Sequence, residues 1–272
     1  MNDHRYCDLP ACPLQSGVQQ PSALDGIRGE RLLALDGVCR HFEGSAGVQG
    51  IDLAVHRGEI LGVCGTSGCG KSTLLRLVAD RETPTAGRID RRFARLGMVF
   101  QEPHLLPWLT ARDNVALVRR NKTSEDREVA MATLASVGLA HAASQYPAQL
   151  SGGMRQRVGI ARALAAEPDL LLMDEPFSSL DYFTAVDLLE LVRRRVLERG
   201  IAVVFVSHDV REVARLCDRV VVMGGAPGRL IDELINPLPH EERGCRPGAL
   251  ARFEEQLLEA IRRGQPDDPA AS

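Results

Sequence analysis

The sequence predicts an α/β protein built on a parallel sheet with helices on both faces. Three observations carry that reading. The apolar run Ile60-Leu61-Gly62-Val63-Cys64 leads straight into a glycine-rich segment, Gly65-Thr66-Ser67-Gly68-Cys69-Gly70-Lys71-Ser72-Thr73. Apolar strand-like runs then recur with helical stretches between them. A second apolar run, Leu170 to Met173, ends on the paired carboxylates Asp174-Glu175.

Taken in order, residues 1–30 mix Pro, Gln, Ser and Gly without periodicity and read as a disordered leader. Strands begin at Arg31, with Leu32 to Cys39 followed by Ile51 to Val55 in clean alternation. The strand Ile60 to Cys64 feeds the glycine-rich loop, and a helix is expected from Ser72 to Asp80. Leu96 to Phe100 is the next strand. Thr110 to Arg119 and Thr123 to Val137 read as helices, the first opened by a capping-box pair, Thr110 with Asp113, and the second stopped by Gly138. Together they predict a helical insertion over about 103–155. Leu170 to Met173, Ala202 to Val206 and Arg219 to Met223 are three further strands with helices between them. Beyond Pro237 the chain is polar except for one amphipathic helix. That helix carries Leu250, Phe253, Leu257, Leu258 and Ile261 on one face and is expected to pack on the domain. From Gly264 onward disorder is expected. The chain thus divides into a leader (1–30), a main domain (31–237) and a C-terminal helix and tail (238–272).

The chain has 272 residues, 44% of them hydrophobic, and a formal net charge of -3. A general nucleic-acid binder would carry a strong basic excess, so that class is excluded. No apolar run approaches the ~18 residues of a membrane span, and the start of the chain has no secretory apolar stretch. A cytosolic chain is expected. Its seven cysteines are scattered, which suits reduced thiols. Cys7 and Cys12 alone do not complete a four-ligand metal clip.

The glycine-rich segment fits G-x-x-x-x-G-K-[ST]. Glycines let backbone N–H groups turn inward around phosphates, and the following helix points its positive end at the same anion. Lys71 adds a point charge at the β- and γ-phosphates, and the Ser72 hydroxyl can ligate Mg²⁺. This predicts a nucleoside triphosphate site. Asp174, at a strand end, can hold the same metal, and Glu175 can orient or deprotonate an attacking water. Leu150 to Arg157 precedes a helix expected over Val158 to Ala165, and its Ser151-Gly152-Gly153 forms a second potential phosphate cradle. One nucleotide does not need two. A head-to-tail dimer explains the second, with this cradle covering the γ-phosphate held by the other subunit; an ordinary N-cap at Ser151 is the alternative.

On these residues the chain strongly resembles the ATP-binding cassette (ABC) ATPases over about 31–235. The resemblance implies a P-loop NTPase core of RecA-like type, with an antiparallel β subdomain and an inserted α-helical subdomain. It implies that Gln101 contacts Mg²⁺ and the attacking water and senses a membrane partner. Asp181, in Ser178-Ser179-Leu180-Asp181, would cross the dimer interface, and His208 would lie near the γ-phosphate. Phe42 would stack on adenine, with Val48 a second apolar contact to the base. The implied catalytic set is Lys71, Gln101, Glu175 and His208. ATP would contact Gly65 to Thr73, with Ser151, Gly152, Gly153 and Asp181 acting across the dimer. Ser72, Gln101 and Asp174 would serve Mg²⁺.

Only a short span separates the phosphate loop from the Ser-Gly-Gly cradle, which excludes the coiled-coil relatives of DNA repair. One cassette and no membrane helices leave a stand-alone subunit that docks on a separate permease. Gln101 to Thr110, above all Leu105-Leu106-Pro107-Trp108, followed by Asp113-Asn114-Val115, is similar to the importers for nitrate, aliphatic sulfonates, taurine and related small solutes. Asp174 to Asp181 and Pro227-Gly228-Arg229-Leu230 fit the same group. The implied partners are an integral-membrane permease, a second copy of the chain and, indirectly, an extracytoplasmic solute-binding protein. The implied location is the cytoplasmic face of the inner membrane, as a peripheral subunit. Trp108 is expected where a permease helix would dock; the alternative, compatible with it, is that Leu105, Leu106 and Trp108 pack inside the helical subdomain. A soluble regulatory ATPase and the ATPase of an exporter with a separate permease are the alternatives. Tyr182-Phe183-Thr184-Ala185 departs from the Ala-Leu-Thr-Arg of that group. Cys69, beside Lys71 and a helix start, is expected to be an activated, accessible thiol, and Cys64 a buried one.

Overall fold

The structure is a computed structural model and describes residues 29–42, 45–119, 123–243 and 246–264. Cys7, Cys12, the expected leader up to residue 28 and the tail beyond Gly264 lie outside the described residues.

Nine strands and eight α-helices alternate along the described chain. Strands β1 (Arg31–Phe42), β2 (Ser45–His56) and β4 (Ala86–Arg91) form an antiparallel sheet in the order β2-β1-β4. Strands β3 (Ile60–Gly65), β5 (Leu96–Val99), β6 (Leu170–Asp174), β7 (Ala202–Val206), β8 (Arg219–Gly224) and β9 (Arg229–Ile235) form the central sheet, ordered β5-β6-β7-β3-β8-β9. All its pairs are parallel except β8 with β9.

The central strands are apolar on both faces, as a parallel sheet covered on both sides requires. The period-2 alternation sorts their side chains into two cores. Ile60, Cys64, Leu171, Met173, Val203 and Phe205 enter a core shared with helices. Those helices are α2 (Ala111–Ala116), α3 (Ser124–Ser136), α4 (Gly152–Ala165), α5 (Tyr182–Arg199), α6 (Val210–Leu216) and α8 (Pro247–Arg263). Leu61, Val63, Leu170, Leu172, Val204 and Val221 face the other way, against the antiparallel sheet and helix α1 (Lys71–Val78). The second face is therefore covered by strands and one helix, not by helices alone.

Two strands escape the sequence reading. β4 is charged and largely exposed along Ala86-Gly87-Arg88, with no apolar run to mark it. β9 alternates between exposed and half-buried positions at the sheet edge. Helix α1 stops at Val78 because Asp80 takes a φ of 58°, so the expected extension to Asp80 does not form. Helix α2 ends at Ala116, before Arg119. Thr123 and Asp126 form a full capping box on α3.

Buried Arg219 ties the two sheets together by donating to Ala54 O on β2. Arg219, 1% exposed, reaches Glu59 at 2.7 Å and Glu233 at 3.1 Å, linking β8 to β9 and to the turn before β3. Helix α7 (His240–Arg243) is fixed by Asp218, which accepts from His240 at 2.7 Å and Arg243 at 3.0 Å.

Helix α8 packs on the domain as expected. Leu250, Phe253, Leu257 and Ala260 are buried, and Arg263 pairs with Asp232 at 2.7 Å. Leu258 departs from the expectation and is 40% exposed. Gly264 is buried beside Gly224 and Ile231, at the first residue of the expected tail. Phe253→Ala, at a site 1% exposed, should cost about 3–5 kcal/mol of stability. Leu258→Ala should stay within about 0.5 kcal/mol. Chemical denaturation of the two variants checks the pair.

Candidate functional site

β3 ends at Gly65 and α1 begins at Lys71, with the glycine-rich loop between them. Gly70, the residue before α1, has a φ of 93°, a conformation that favours glycine. A Cβ there would also meet Val48 Cγ1 at 2.6 Å and Gly47 O at 2.9 Å. The loop therefore lies tightly on β2. No side chain caps α1 and no acid occupies its first turn, so its N–H groups face the loop without a competing negative charge. Lys71 Nζ donates to Gly65 O at 2.9 Å and Thr66 O at 2.8 Å, which holds the ammonium at the loop mouth.

A cleft of about 480 Å³ opens there, with Ser67, Gly68, Lys71 and Ser72 on one wall and Asp174, Glu175 and His208 on the other. Asp174 ends β6 and faces Ser72 across the cleft. Burial pushes the Asp174 carboxyl above its ordinary value, and the Glu175 charge adds to the rise, against Lys71 and Arg76. A half-buried carboxylate facing a hydroxyl is a donor set that fits a hard cation such as Mg²⁺.

Glu175 follows with a φ of 45°, rare for a residue with a side chain. Its N–H donates to Val206 O at 2.9 Å, which fixes that turn against β7. Its Oε2 receives Gln101 Nε2 at 3.3 Å and faces His208 Nδ1 at 3.3 Å. Three strand ends thus converge on one carboxylate: β5 through Gln101, β6 through Glu175 and β7 through His208. An acid or base held beside a phosphate cradle can orient water for attack.

Other expected site residues stand apart from this cleft. Ser151 is the N-cap of α4, its Oγ accepting the Met154 N–H at 3.2 Å, with Gly152 and Gly153 in the first turn. Asp181 caps α5 through the Thr184 N–H at 3.0 Å, and those backbone bonds hold its carboxyl below the usual range. Phe42 is half-buried at the end of β1, with the Arg40 guanidinium 4.7 Å from its ring centre. Thr66 and Cys69 belong to the loop without lining the cleft. Val48 corrects the sequence reading: it is fully buried beneath Gly70 and has no face for a base.

Trp108 is 70% exposed, whereas Leu105 packs against the helical core. The packing alternative therefore holds for Leu105 and not for Trp108. The residue that shapes this segment is Asn114, which the sequence marked only as part of the importer resemblance. Asn114 is fully buried; its Oδ1 accepts from Leu106 N–H at 2.8 Å, and its Nδ2 donates to Leu106, Leu109 and Thr110 carbonyls, each at 3.1 Å. Sequence reasoning missed Gln156, 1% exposed, whose Nε2 donates to Phe100 O at 3.0 Å and ties the Gln101 segment to α4. A polar residue inside an apolar helical pattern was the available signal for both.

The thiols also differ from expectation. Cys69 is 1% exposed, with Lys71 Nζ at 3.8 Å from its Sγ. Its Sγ packs inward against Gly65, where an added Cβ would meet it at 2.9 Å. Cys64 is equally buried, and burial pushes its thiol up to about 12. In brief maleimide labelling followed by peptide mapping, Cys69 should react as slowly as Cys64, with or without Mg-ATP, and both should label only in denaturant. Fast labelling of Cys69 alone would contradict its burial.

Residues 48–178 match the protein family described as ABC transporter. The chain is 41% identical over 238 residues to the aliphatic sulfonates import ATP-binding protein SsuB 1 of Pseudomonas savastanoi pv. phaseolicola, covering 88% of this chain and 96% of that one. The protein of the same name from Agrobacterium fabrum is 41% identical over 236 residues, covering 86% and 84%. Among solved structures, the cassette MJ0796, in a dimeric post-hydrolysis state bound to ADP and Pi, matches with a TM-score of 0.69 and 30% identity. That match covers 76% of this chain and all (100%) of the other. This chain belongs to the ABC transporter family, as one of its ATP-hydrolysing ATP-binding cassettes.

Proposed function

We propose that this chain energises an importer for aliphatic sulfonates or a similarly small anionic solute, working through a separate permease. The convergence of Gln101 and His208 on Glu175, beside the Lys71 loop, carries the hydrolytic part of the reading. The 41% identity to the sulfonate import subunits carries the solute class. No described helix is long and apolar enough to cross a membrane, which suits a subunit that reaches the bilayer by docking. Trp108, exposed on a segment held by Asn114, is the surface proposed to meet the permease. Recognition of solute outside the membrane falls to a separate binding protein.

In this reading the loop amides and Lys71 bind the β- and γ-phosphates. Ser72, Gln101 and Asp174 would hold Mg²⁺, which supplies charge neutralisation between the phosphates when bound. Glu175 orients and polarises the water, and His208 stabilises the charge that develops on the γ-phosphate. Phe42 offers a ring to adenine. Ser151, Gly152, Gly153 and Asp181 lie outside the cleft of their own chain, as groups that act on the partner copy's nucleotide would. Closing two copies over two nucleotides and reopening after hydrolysis would then bias the permease between its two orientations.

Glu175→Gln should keep ATP binding, slow turnover by about 10²-fold or more, and accumulate an ATP-bound dimer on gel filtration. Near wild-type turnover would remove Glu175 from the role of base. Ser151→Arg should abolish turnover while the monomer still binds ATP. Mixed with Lys71→Ala, it should recover at most one composite site per dimer. Loss of ATP binding by the Ser151→Arg monomer would exclude action across the dimer.

A further inference from the structure

Glu212 lies on the first turn of α6, one turn beyond His208, and takes no direct part in the chemistry proposed above. Its Oε2 accepts a hydrogen bond from Ser207 Oγ at 2.6 Å. The same Oγ accepts the Asp209 N–H at 3.1 Å. Ser207 is 2% exposed, and its carbonyl accepts from Cys64 Sγ at 3.7 Å, which pins it from β3. His208 thus sits between two residues tied to one carboxylate. Its own side chain is 67% exposed, and its Nδ1 faces Glu175 Oε2 at 3.3 Å.

Little packing therefore acts on the imidazole itself. Val213, Ala214 and Leu216 seat the inner face of α6 in the core, whereas on the outer side Glu212 lines a cleft of about 390 Å³ between α5, α6 and α8. The bonds from Ser207 Oγ to Glu212 and from the Asp209 amide to Ser207 Oγ brace the backbone on both sides of the histidine, alongside the Asp209 cap on α6. Burial pushes the Glu212 carboxyl above its ordinary value, and Ser207 opposes that rise, so the bond works in favour of the charged acceptor.

We propose that Glu212 is a positioning residue which, through Ser207, holds the His208 loop so that the imidazole faces Glu175 and the γ-phosphate. This rests on the proposed role of His208 in hydrolysis. A purely structural role is the competing account: an acid in the first turn of a helix stabilises it through the helix dipole. The two accounts separate on one substitution. Glu212→Gln removes the charge but keeps a carbonyl oxygen that can accept from Ser207. Glu212→Ala removes both.

The full-length chain is assayed for Mg-ATP affinity, kcat, Tm and the imidazole NMR signals of His208. Glu212→Ala and Ser207→Ala should each lower kcat by roughly 10-fold or more, because sub-ångström to ångström misplacement of a catalytic group carries losses of that order. ATP affinity should change by less than about 2-fold, and the double variant should lose little beyond either single one. The His208 signals should shift or broaden in both. Glu212→Gln should lower Tm while keeping kcat within about 3-fold and the His208 signals in place. Should Glu212→Ala fail to fold, Ser207→Ala carries the same test with the loss of one oxygen. Unchanged kcat and His208 signals in Ser207→Ala, with His208→Ala and Glu175→Gln both inactive, would overturn the positioning role and leave the ATPase reading standing. Activity retained in His208→Ala and Glu175→Gln would instead remove the reading on which the proposal rests. Loss of kcat in Glu212→Gln equal to that in Glu212→Ala would favour the helix-dipole account.

Discussion

Val206 lies between Val63 and Asp174 in the central sheet, paired with one on each side. This row fixes the candidate site. Two residues beyond it β3 ends at Gly65 and the phosphate loop begins; on β6 the chain enters Glu175, and on β7 Ser207 and His208. Met173 pairs with Val99 in the same way, so Gln101 leaves β5 at the same edge. Parallel strands release all their outgoing loops at one edge, which is where ligands of open α/β sheets bind. A one-residue slip of β6 against β7 would move Asp174 out of the row and turn alternate side chains to the opposite core.

The register explains why the strained turn at Glu175 is tolerated. A positive φ on a residue with a side chain costs of order 1–3 kcal/mol and persists where surroundings over-determine it. Here the Glu175 N–H is held by Val206 O, and the carboxylate by Gln101 and His208. The strain places two adjacent carboxylates in different environments. Asp174 remains half-buried opposite Ser72, and Glu175 turns toward the cleft. Two neighbouring acids can then take the separate tasks proposed for them, metal holding and water orientation.

Where apolar periodicity was strong, the sequence was legible. Ile60, Leu61, Val63 and Cys64 read as a buried strand because every position is apolar, and the glycine spacing after them has few structural alternatives. Ala202 to Val206 has the same bounds in the sequence reading and in the structure. β4 and β9 were illegible because edge strands with one solvent face do not carry continuous apolar runs. Val48 and Cys69 were misplaced for a related reason. Spacing put them near the nucleotide loop, but only packing shows that their side chains point beneath it. Asn114 and Gln156 act by bonding backbone carbonyls and Glu212 by accepting from Ser207 Oγ; their polarity was visible in the sequence, but the partners they bond were not.

The central claim is that Glu175 is a hub shared by Gln101 and His208, not merely a neighbour of each. Single-turnover ATP hydrolysis by Gln101→Ala, His208→Ala and the double variant tests it most directly. If both residues act through one carboxylate, the double variant should lose clearly less than the product of the single losses, because residues acting as a unit are not additive. Losses that multiply fully, with ATP affinity unchanged, would mean that the two residues act independently and that the convergence on Glu175 has no catalytic meaning.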